Sequence, residues 1–295
     1  MGERERATSL SVEALDNRVD GRVLLKVSDI PKKEDIIKTS RLLTEGAIQA
    51  SMLATDLTRG GLKLVRLLRG NHLNFAELPA GNGEAVVFET GLLAPKQTFF
   101  PMANRLERLG YKTMHTEHPA GINIEDVDKR SKLLLKAAHR GLKETAKKVK
   151  LICESKGAVT AIWAISVYPK EGKETTDHIV VLGNPLGSEL NVLVSALYLG
   201  TQWVNRRRNG KDDFDLRKEL ASKLGEDGEI RLPPGVKFTS IDSSNNGITF
   251  FSKNNHNGTT MINCAHSAFG FDLEVISKIA HEFAANNNQA QSYAA

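Results

Sequence analysis

Short apolar runs recur along the chain after residue 80, and most of them are rich in β-branched residues. Segments between the runs have helical periodicity: residues 100–109 and 272–283 each place large apolar side chains on one helix face. Strands that alternate with helices are typical of βαβ units, in which helices cover both faces of a mostly parallel sheet. The predicted strands are 85–88, 112–114, 149–153, 178–182, 236–241 and 260–264. The pattern predicts an α/β domain over residues 81–285.

Three further regions flank or interrupt this domain. Residues 1–80 are predicted to form an N-terminal helical extension, because apolar residues between 33 and 69 recur at roughly helical spacing. Residues 186–235 lie between the fourth and fifth predicted strands and are expected to form a helical cap over the carboxyl edge of the sheet, where open α/β sheets bind ligands. The tail at residues 286–295 is rich in Asn, Gln and Ala and is predicted to be disordered.

Composition narrows the class of protein without indicating an activity. The chain has 295 residues, and 40 Lys and Arg against 35 Asp and Glu give a net charge of +5, which is ordinary for a globular protein. The N-terminus is charged and no long apolar stretch occurs, so we expect a cytoplasmic protein that does not span a membrane. Cys153 and Cys264 are too few for a disulfide framework or a metal cluster. We therefore expect reduced thiols, no metal and no cofactor.

The segment around Ser155 carries the strongest local signal. A β-like run ends at Ser155, Gly157 follows two residues later, and a helix is predicted to begin at once. This strand-turn-helix context is that of a nucleophile elbow, whose usual form is G-x-S-x-G. Cys153 stands where the first glycine would be. Taken alone, Ser155 fits an ordinary serine at a helix start better than a nucleophile, so the prediction depends on the surrounding sequence.

The surrounding sequence resembles the α/β-hydrolases of the bacterial lipase and esterase-like branch. Residues 86–95 read VVFETGLLAP, similar to a strand that leads into a Gly-containing oxyanion loop, and a helix ending in LGY follows at residues 109–111. Residues 180–187 resemble the strand after the elbow helix. Residues 236–247 and 261–273 resemble the two terminal strands with the segment that carries the catalytic histidine. The resemblance spans about residues 80 to 285 and implies the α/β-hydrolase fold.

The resemblance also implies roles for individual residues. Ser155 matches the nucleophile and His266 the general base, and the backbone N–H groups of Leu92 and Lys156 match the oxyanion donors. The implied reaction is hydrolysis of a small-molecule carboxylic ester through an acyl-enzyme on Ser155. The apolar residues of the cap suggest a lipid-like ester.

The acid of the triad departs from the pattern of this branch. There the loop after the penultimate strand reads S-x-x-D-G-[IV], whereas residues 243–248 here read SSNNGI, which puts Asn246 at the acid position. Asp242 at the strand end could serve instead, Asn246 could leave a slow enzyme, or deamidation of Asn246 before Gly247 could create a carboxylate. The alternative function is a catalytically degenerate α/β-hydrolase-fold protein that binds an acyl ligand or an anionic surface.

A cationic stripe precedes the elbow. Spacings of three and four residues would place six basic side chains on one helix face. These residues are Lys129, Lys132, Lys136, Arg140, Lys143 and Lys147. A solvated outer face is the simpler interpretation, and docking to an anionic membrane surface is the functional one. Nucleic acid is not an expected partner because no nucleic-acid motif accompanies the charge. The sequence leaves the oligomeric state open.

Overall fold

A computed structural model describes residues 75–92, 94–117, 125–183, 233–243 and 259–292, together with short segments at 18–19, 22–23, 58–59, 62, 188–190 and 249–251. The chain divides into two compact units, Met1–Ala50 and Ser51–Ala295. In the first unit, the strand Arg18–Val19 pairs antiparallel with Arg22–Val23. The account below concerns the second unit.

In the described part of the second unit, six parallel strands form the central sheet. They are β1 (Ala85–Glu89), β2 (Lys112–His115), β3 (Val149–Glu154), β4 (Thr176–Leu182), β5 (Lys237–Ser243) and β6 (Thr259–Ile262). Their order across the sheet is β6-β5-β4-β3-β1-β2, and every neighbouring pair is parallel. Each of the six predicted strands is therefore confirmed, with small shifts at the ends.

Helices cover both faces of this sheet. They are α1 (Phe100–Arg108), α2 (Val127–Thr145), α3 (Lys156–Val167), α4 (Pro169–Thr175) and α5 (Leu273–Ser292). Apolar side chains of α1 and α5 pack with Val86 and Phe88 of β1 on one face, whereas those of α2 and α3 pack with Ala85 and Val87 on the other. This alternation along β1 is the period-two pattern of a strand buried on both sides. The predicted α/β fold is confirmed.

The segments outside this layered core are described only in part. Within the predicted cap at 186–235, Ser188–Leu190 forms a strand that pairs antiparallel with Thr249–Phe251. Residues 191–232 and most of the predicted extension at 1–80 lie outside the described residues. The prediction of a disordered tail from residue 286 was wrong for residues 286–292, because α5 continues to Ser292. Residues 286–288 are asparagines of low helix propensity, so the helix continues there because its preceding turns are already formed, and Gln289, Ala290 and Gln291 are good helix formers.

The fully buried His178 of β4 predicts a loss of stability in acid. Burial, together with the positive charges of Lys237 and Lys150, lowers the pKa of His178 to about 3. The unfolded chain protonates this histidine near pH 6.5 and the folded chain does not, so stability falls as the pH drops from 6.5 toward 3. We expect a slope of up to about 1.4 kcal/mol per pH unit in this window, measured by urea unfolding.

Two variants isolate the contribution of His178 from that of the carboxylates. His178→Gln retains a side chain that can hydrogen-bond to Thr239 Oγ1, which lies 2.9 Å from His178 Nε2, and we expect it to flatten the slope above pH 5. The same change at His139, which is exposed on α2, should leave the slope as it is in the wild type. Equal slopes for the wild type and His178→Gln would contradict the prediction.

Candidate active site

Ser155 sits in a strained backbone conformation at the turn between β3 and α3. Its φ of 49° and ψ of −115° are unusual for a residue with a side chain, and its N–H donates to the carbonyl of Leu182 in β4 at 2.8 Å. Strain of this kind costs on the order of 1–3 kcal/mol and persists where the surrounding structure over-determines it. The sharp strand-to-helix turn is the geometry expected of a nucleophile elbow.

Gly157 of α3 allows the elbow to approach β1 closely. A Cβ at this position would lie 2.5 Å from the carbonyl oxygen of Glu89, a distance that real side chains essentially never show. The preceding residue, Lys156, supplies one of the predicted oxyanion amides from the first turn of α3. Its side chain is buried and turns away, with Nζ donating to the carbonyl of Glu125 at 2.6 Å.

The second predicted oxyanion donor lies in the loop after β1. A Cβ on Gly91 would lie 3.2 Å from the Cβ of Ser155, so the Gly91–Leu92 backbone passes directly beside the elbow. The turn is closed by the N–H of Ala94, which donates to the Gly91 carbonyl at 3.2 Å, and by the Thr90 hydroxyl, which donates to the Ala94 carbonyl at 3.0 Å. The structure therefore brings Leu92 and Lys156 to the same edge of the sheet as Ser155.

His266 lies after the carboxyl end of β6, the strand at one end of the sheet order. It begins a short 3₁₀ turn after β6, is 2 % exposed, and meets the ring of Phe269 edge to face at 5.3 Å. Its imidazole lies against Gly183, where a Cβ would be 2.4 Å from Cε1 and 2.7 Å from Nδ1. Because Leu182 accepts the hydrogen bond from the Ser155 N–H, Ser155 and His266 contact two adjacent residues, Leu182 and Gly183.

Of the two candidates for the triad acid, the structure describes only Asp242. It lies near the carboxyl end of β5, is 1 % exposed, and pairs in register with Met261 of β6, the strand that leads to His266. Its Oδ1 accepts a hydrogen bond from the Ser243 N–H at 2.7 Å. Asn246 lies outside the described residues.

The parallel sheet, the strained serine after β3 and the histidine after β6 occur in the order expected of one superfamily. The chain has the α/β-hydrolase fold. The predicted elbow and histidine thus lie on the fold that their sequence context implied.

Comparisons with solved structures find similar proteins at low sequence identity. An α/β hydrolase enzyme from the metagenome of Mar Chica lagoon sediments in Morocco is 18% identical, over 71% of this chain and 94% of its own, with a TM-score of 0.46. The mature form of a Bacillus licheniformis lipase is 18% identical, over 68% and 89%, with a TM-score of 0.46. A soluble variant of the Saccharomyces cerevisiae monoglyceride lipase, bound to a substrate analogue, is 10% identical, over 70% and 88%, with a TM-score of 0.48. No protein-family model and no curated protein matches the chain.

One feature beside the elbow was missed by the sequence reasoning. Glu89 at the end of β1 and Arg130 of α2 form an ion pair in which both side chains are fully buried. Arg130 Nε donates to Oε1 at 2.9 Å and Nη2 to Oε2 at 2.5 Å, and Nη1 donates to the carbonyl of Glu117 at 2.6 Å. The sequence signal for this pair was the place of Arg130 on an otherwise apolar helix face, which also carries Leu134 and Ala138.

The cationic stripe is exposed and partly neutralised. Helix α2 presents its five N-terminal members to solvent, and its N-terminus is capped by Asp126, which accepts from the Lys129 N–H at 2.8 Å. Lys132 pairs with Asp128 at 2.7 Å, and Arg140 lies 3.7 Å from Glu117. Docking of this face to an anionic membrane surface stays a prediction.

The spacing predicted that Lys147 would be the last member of the helical stripe, but Lys147 lies beyond the end of the helix. Helix α2 ends at Thr145, because Ala146 adopts the left-handed conformation with φ of 55° and closes the helix by donating to the Leu142 carbonyl at 2.8 Å. Lys147 Nζ instead donates to the carbonyl of Asn82 at 2.5 Å.

Among the residues described, no group of three or more His, Cys, Asp and Glu side chains is arranged to hold a metal ion. Over the same parts of the chain, no helix combines the length and the apolar character that crossing a membrane needs. Cys153 and Cys264 are buried and form no disulfide within the described residues, and burial, together with the charge of Glu89, raises the pKa of the Cys153 thiol.

Proposed function

We propose that the protein is a serine hydrolase that cleaves a carboxylic ester through an acyl-enzyme on Ser155. The observation that carries the proposal is the backbone of Ser155, which holds a non-glycine residue at φ 49° at the carboxyl edge of a parallel sheet. Strain of this kind clusters at functional sites. The contact of His266 with Gly183 supports the proposal, because it brings an imidazole to the same edge.

The proposed reaction has two balanced halves. His266 removes the proton of the Ser155 hydroxyl as Oγ attacks the ester carbonyl, and the carbonyl electrons move onto the oxygen to give a tetrahedral oxyanion. This intermediate collapses by breaking the bond to the alcohol oxygen, which receives the proton from His266. Water then attacks the acyl-enzyme in the same way, with His266 again accepting a proton, and releases the carboxylic acid and the free serine.

The backbone amides of Lys156 and Leu92 are the proposed donors to the oxyanion. Fixed amides are effective because they are already oriented when the negative charge develops, and removal of one such donor typically costs about 10²–10³ in turnover. The N–H groups at the start of α3 also lie at the positive end of the helix dipole, which favours an anion there. The lipid-like character of the substrate rests on the apolar residues of the cap, which lie outside the described residues.

A fluorophosphonate probe tests the proposal directly. Such probes modify a serine that a neighbouring histidine activates, so we expect the wild type to be labelled at Ser155, with the site identified by peptide mass spectrometry. Ser155→Ala should be unlabelled and should lose ester hydrolysis. Ser166→Ala, a change at the opposite end of the same helix α3, should be labelled as the wild type is.

The alternative function is tested by the same experiment. A wild-type protein that is not labelled, and that hydrolyses no p-nitrophenyl ester, would contradict the enzyme proposal and favour a degenerate hydrolase that binds an acyl ligand or an anionic surface. Hydrolysis that persists in Ser155→Ala would show that another residue carries the reaction.

A further inference from the structure

The Glu89–Arg130 pair is unusual because it is fully buried and directly adjoins the proposed oxyanion loop. The guanidinium fork matches both carboxylate oxygens, at 2.9 and 2.5 Å, and its third contact goes to the backbone carbonyl of Glu117. Burial of two charges is costly, and such a pair often stabilises a fold no better than apolar residues of similar volume. Stability alone therefore explains the pair poorly.

Glu89 connects this ion pair to both halves of the proposed site. Its carbonyl oxygen would lie 2.5 Å from a Cβ on Gly157, so the backbone of Glu89 rests directly on the first turn of α3. Gly91 follows two residues later and lies against Ser155. A shift of Glu89 away from α3 would therefore carry the Gly91–Leu92 backbone away from the nucleophile.

The N-terminal part of α2 and the residues before it also contact α3, which carries the Lys156 amide of the proposed site. Lys156 is 5 % exposed and donates from Nζ to the carbonyl of Glu125 at 2.6 Å. Ser131, next to Arg130, donates to the carbonyl of Thr160 in α3 at 2.8 Å. The loop after β1 and the start of α3 are thus fixed to the same segment, from residue 125 to residue 131.

We propose that Arg130 is a positioning residue that acts through Glu89 to hold the Gly91–Leu92 backbone at the distance from Ser155 that oxyanion binding needs. The inference rests on the proposed hydrolase function. Oxyanion donors must lie about 2.7–3.1 Å from the developing charge, so a small displacement weakens the transition state more than it weakens substrate binding. Loss of the positioning contact should therefore lower kcat and leave KM nearly unchanged.

The test compares Arg130→Lys with a double variant, Glu89→Met with Arg130→Met, using p-nitrophenyl butyrate. We expect Arg130→Lys, which retains the charge and loses the fork, to lower kcat by at least about tenfold, with KM within about twofold of the wild type. The double variant removes both buried charges, so its thermal stability should exceed that of Arg130→Met alone while its kcat stays low. A double variant with wild-type kcat would show that the pair has a purely structural role and would overturn the inference.

Lys150 provides a matched control on the same sheet. This second fully buried cation lies near the start of β3, 2.9 Å from Asp177 and 3.6 Å from Glu84, whereas Ser155 directly follows the carboxyl end of that strand. Lys150→Met should lower the melting temperature, as loss of a buried cation does, and leave the kcat of the folded protein within about twofold of the wild type. An equal fall in kcat for Lys150→Met and Arg130→Lys would count against a specific role of Arg130.

Hydrogen exchange separates this inference from the proposed function. If the wild type lacks ester turnover that depends on Ser155, the proposed function fails, but exchange of the amides of residues 90–92 can still be followed by mass spectrometry. We expect faster exchange there in Arg130→Lys than in the wild type or in Lys150→Met. Unchanged exchange at these residues would overturn the positioning role whether or not the protein is an esterase.

Discussion

Replacement of Asp242 by asparagine is expected to lower ester turnover by about 10⁴-fold, the loss that the same change causes in a serine protease triad. Asp242 is 1 % exposed and lies beside β6, the strand that leads to His266. A carboxylate removed from water needs hydrogen bonds or a positive charge, and an imidazolium on His266 would supply the charge as it forms during the reaction. Steady-state kinetics on p-nitrophenyl butyrate would measure the loss of kcat.

Asn246 provides the matched comparison because the sequence resemblance aligns it with the acid of the lipase and esterase-like branch. If Asp242 is the acid, Asn246→Ala should leave kcat within about threefold of the wild type. If Asn246 orients His266, Asn246→Ala should be the damaging change and Asn246→Asp should raise turnover. Full activity in Asp242→Asn together with a large loss in Asn246→Ala would contradict the assignment to Asp242.

Local sequence patterns were sufficient to place Ser155 and His266 at turns that follow strands of the sheet. Each lies just after a β-branched run and just before a turn, so the strand that delivers it and the change of direction that follows can both be read from neighbouring residues. The parallel order of the strands followed from the alternation of strands and helices, because parallel neighbours need crossover connections. The fold, and the positions of these two candidate residues in it, were thus accessible without coordinates.

The Glu89–Arg130 pair was not accessible in the same way. Its members are separated by 41 residues, and although Glu89 lies within the 86–95 stretch that leads into the oxyanion loop, nothing in that stretch indicates a partner in α2. The charge pattern of α2 also obscured the pair, because Arg130 lies between Lys129 and Lys132, two exposed cations of the stripe. Only the helical phase of Arg130, which it shares with the buried Leu134, distinguishes it from its exposed neighbours.

The acid was left open by the sequence for a different reason. A carboxylate at a strand end is a common turn-forming residue, so Asp242 carries no motif of its own. What distinguishes it is burial and its register opposite Met261, and both depend on pairing between β5 and β6 rather than on nearby sequence.

Gly183 predicts the second large loss of activity, because the imidazole of His266 lies where a side chain would be. Gly183→Ala would place a methyl group 2.4 Å from Cε1 of His266 and 2.9 Å from Cε2 of Phe269, at a backbone φ of +63°. The imidazole has to move to relieve this contact. Since a displacement of about 1 Å at a reacting group can cost 10²-fold, we expect kcat to fall by roughly that factor.

Gly235 separates displacement of His266 from backbone strain. Gly235 also has a positive φ, of +88°, but a Cβ at this position would meet nothing within 4 Å. Gly235→Ala should therefore cost about 1–2 kcal/mol of stability from the left-handed backbone and leave kcat unchanged. Gly183→Ala should lose more stability than Gly235→Ala in urea unfolding, because its methyl group also overpacks a buried site, and the folded protein should show the large fall in kcat besides. Wild-type turnover in Gly183→Ala would mean that His266 does not act from the position seen beside Gly183, and the proposed pairing of Ser155 with His266 would have to be abandoned.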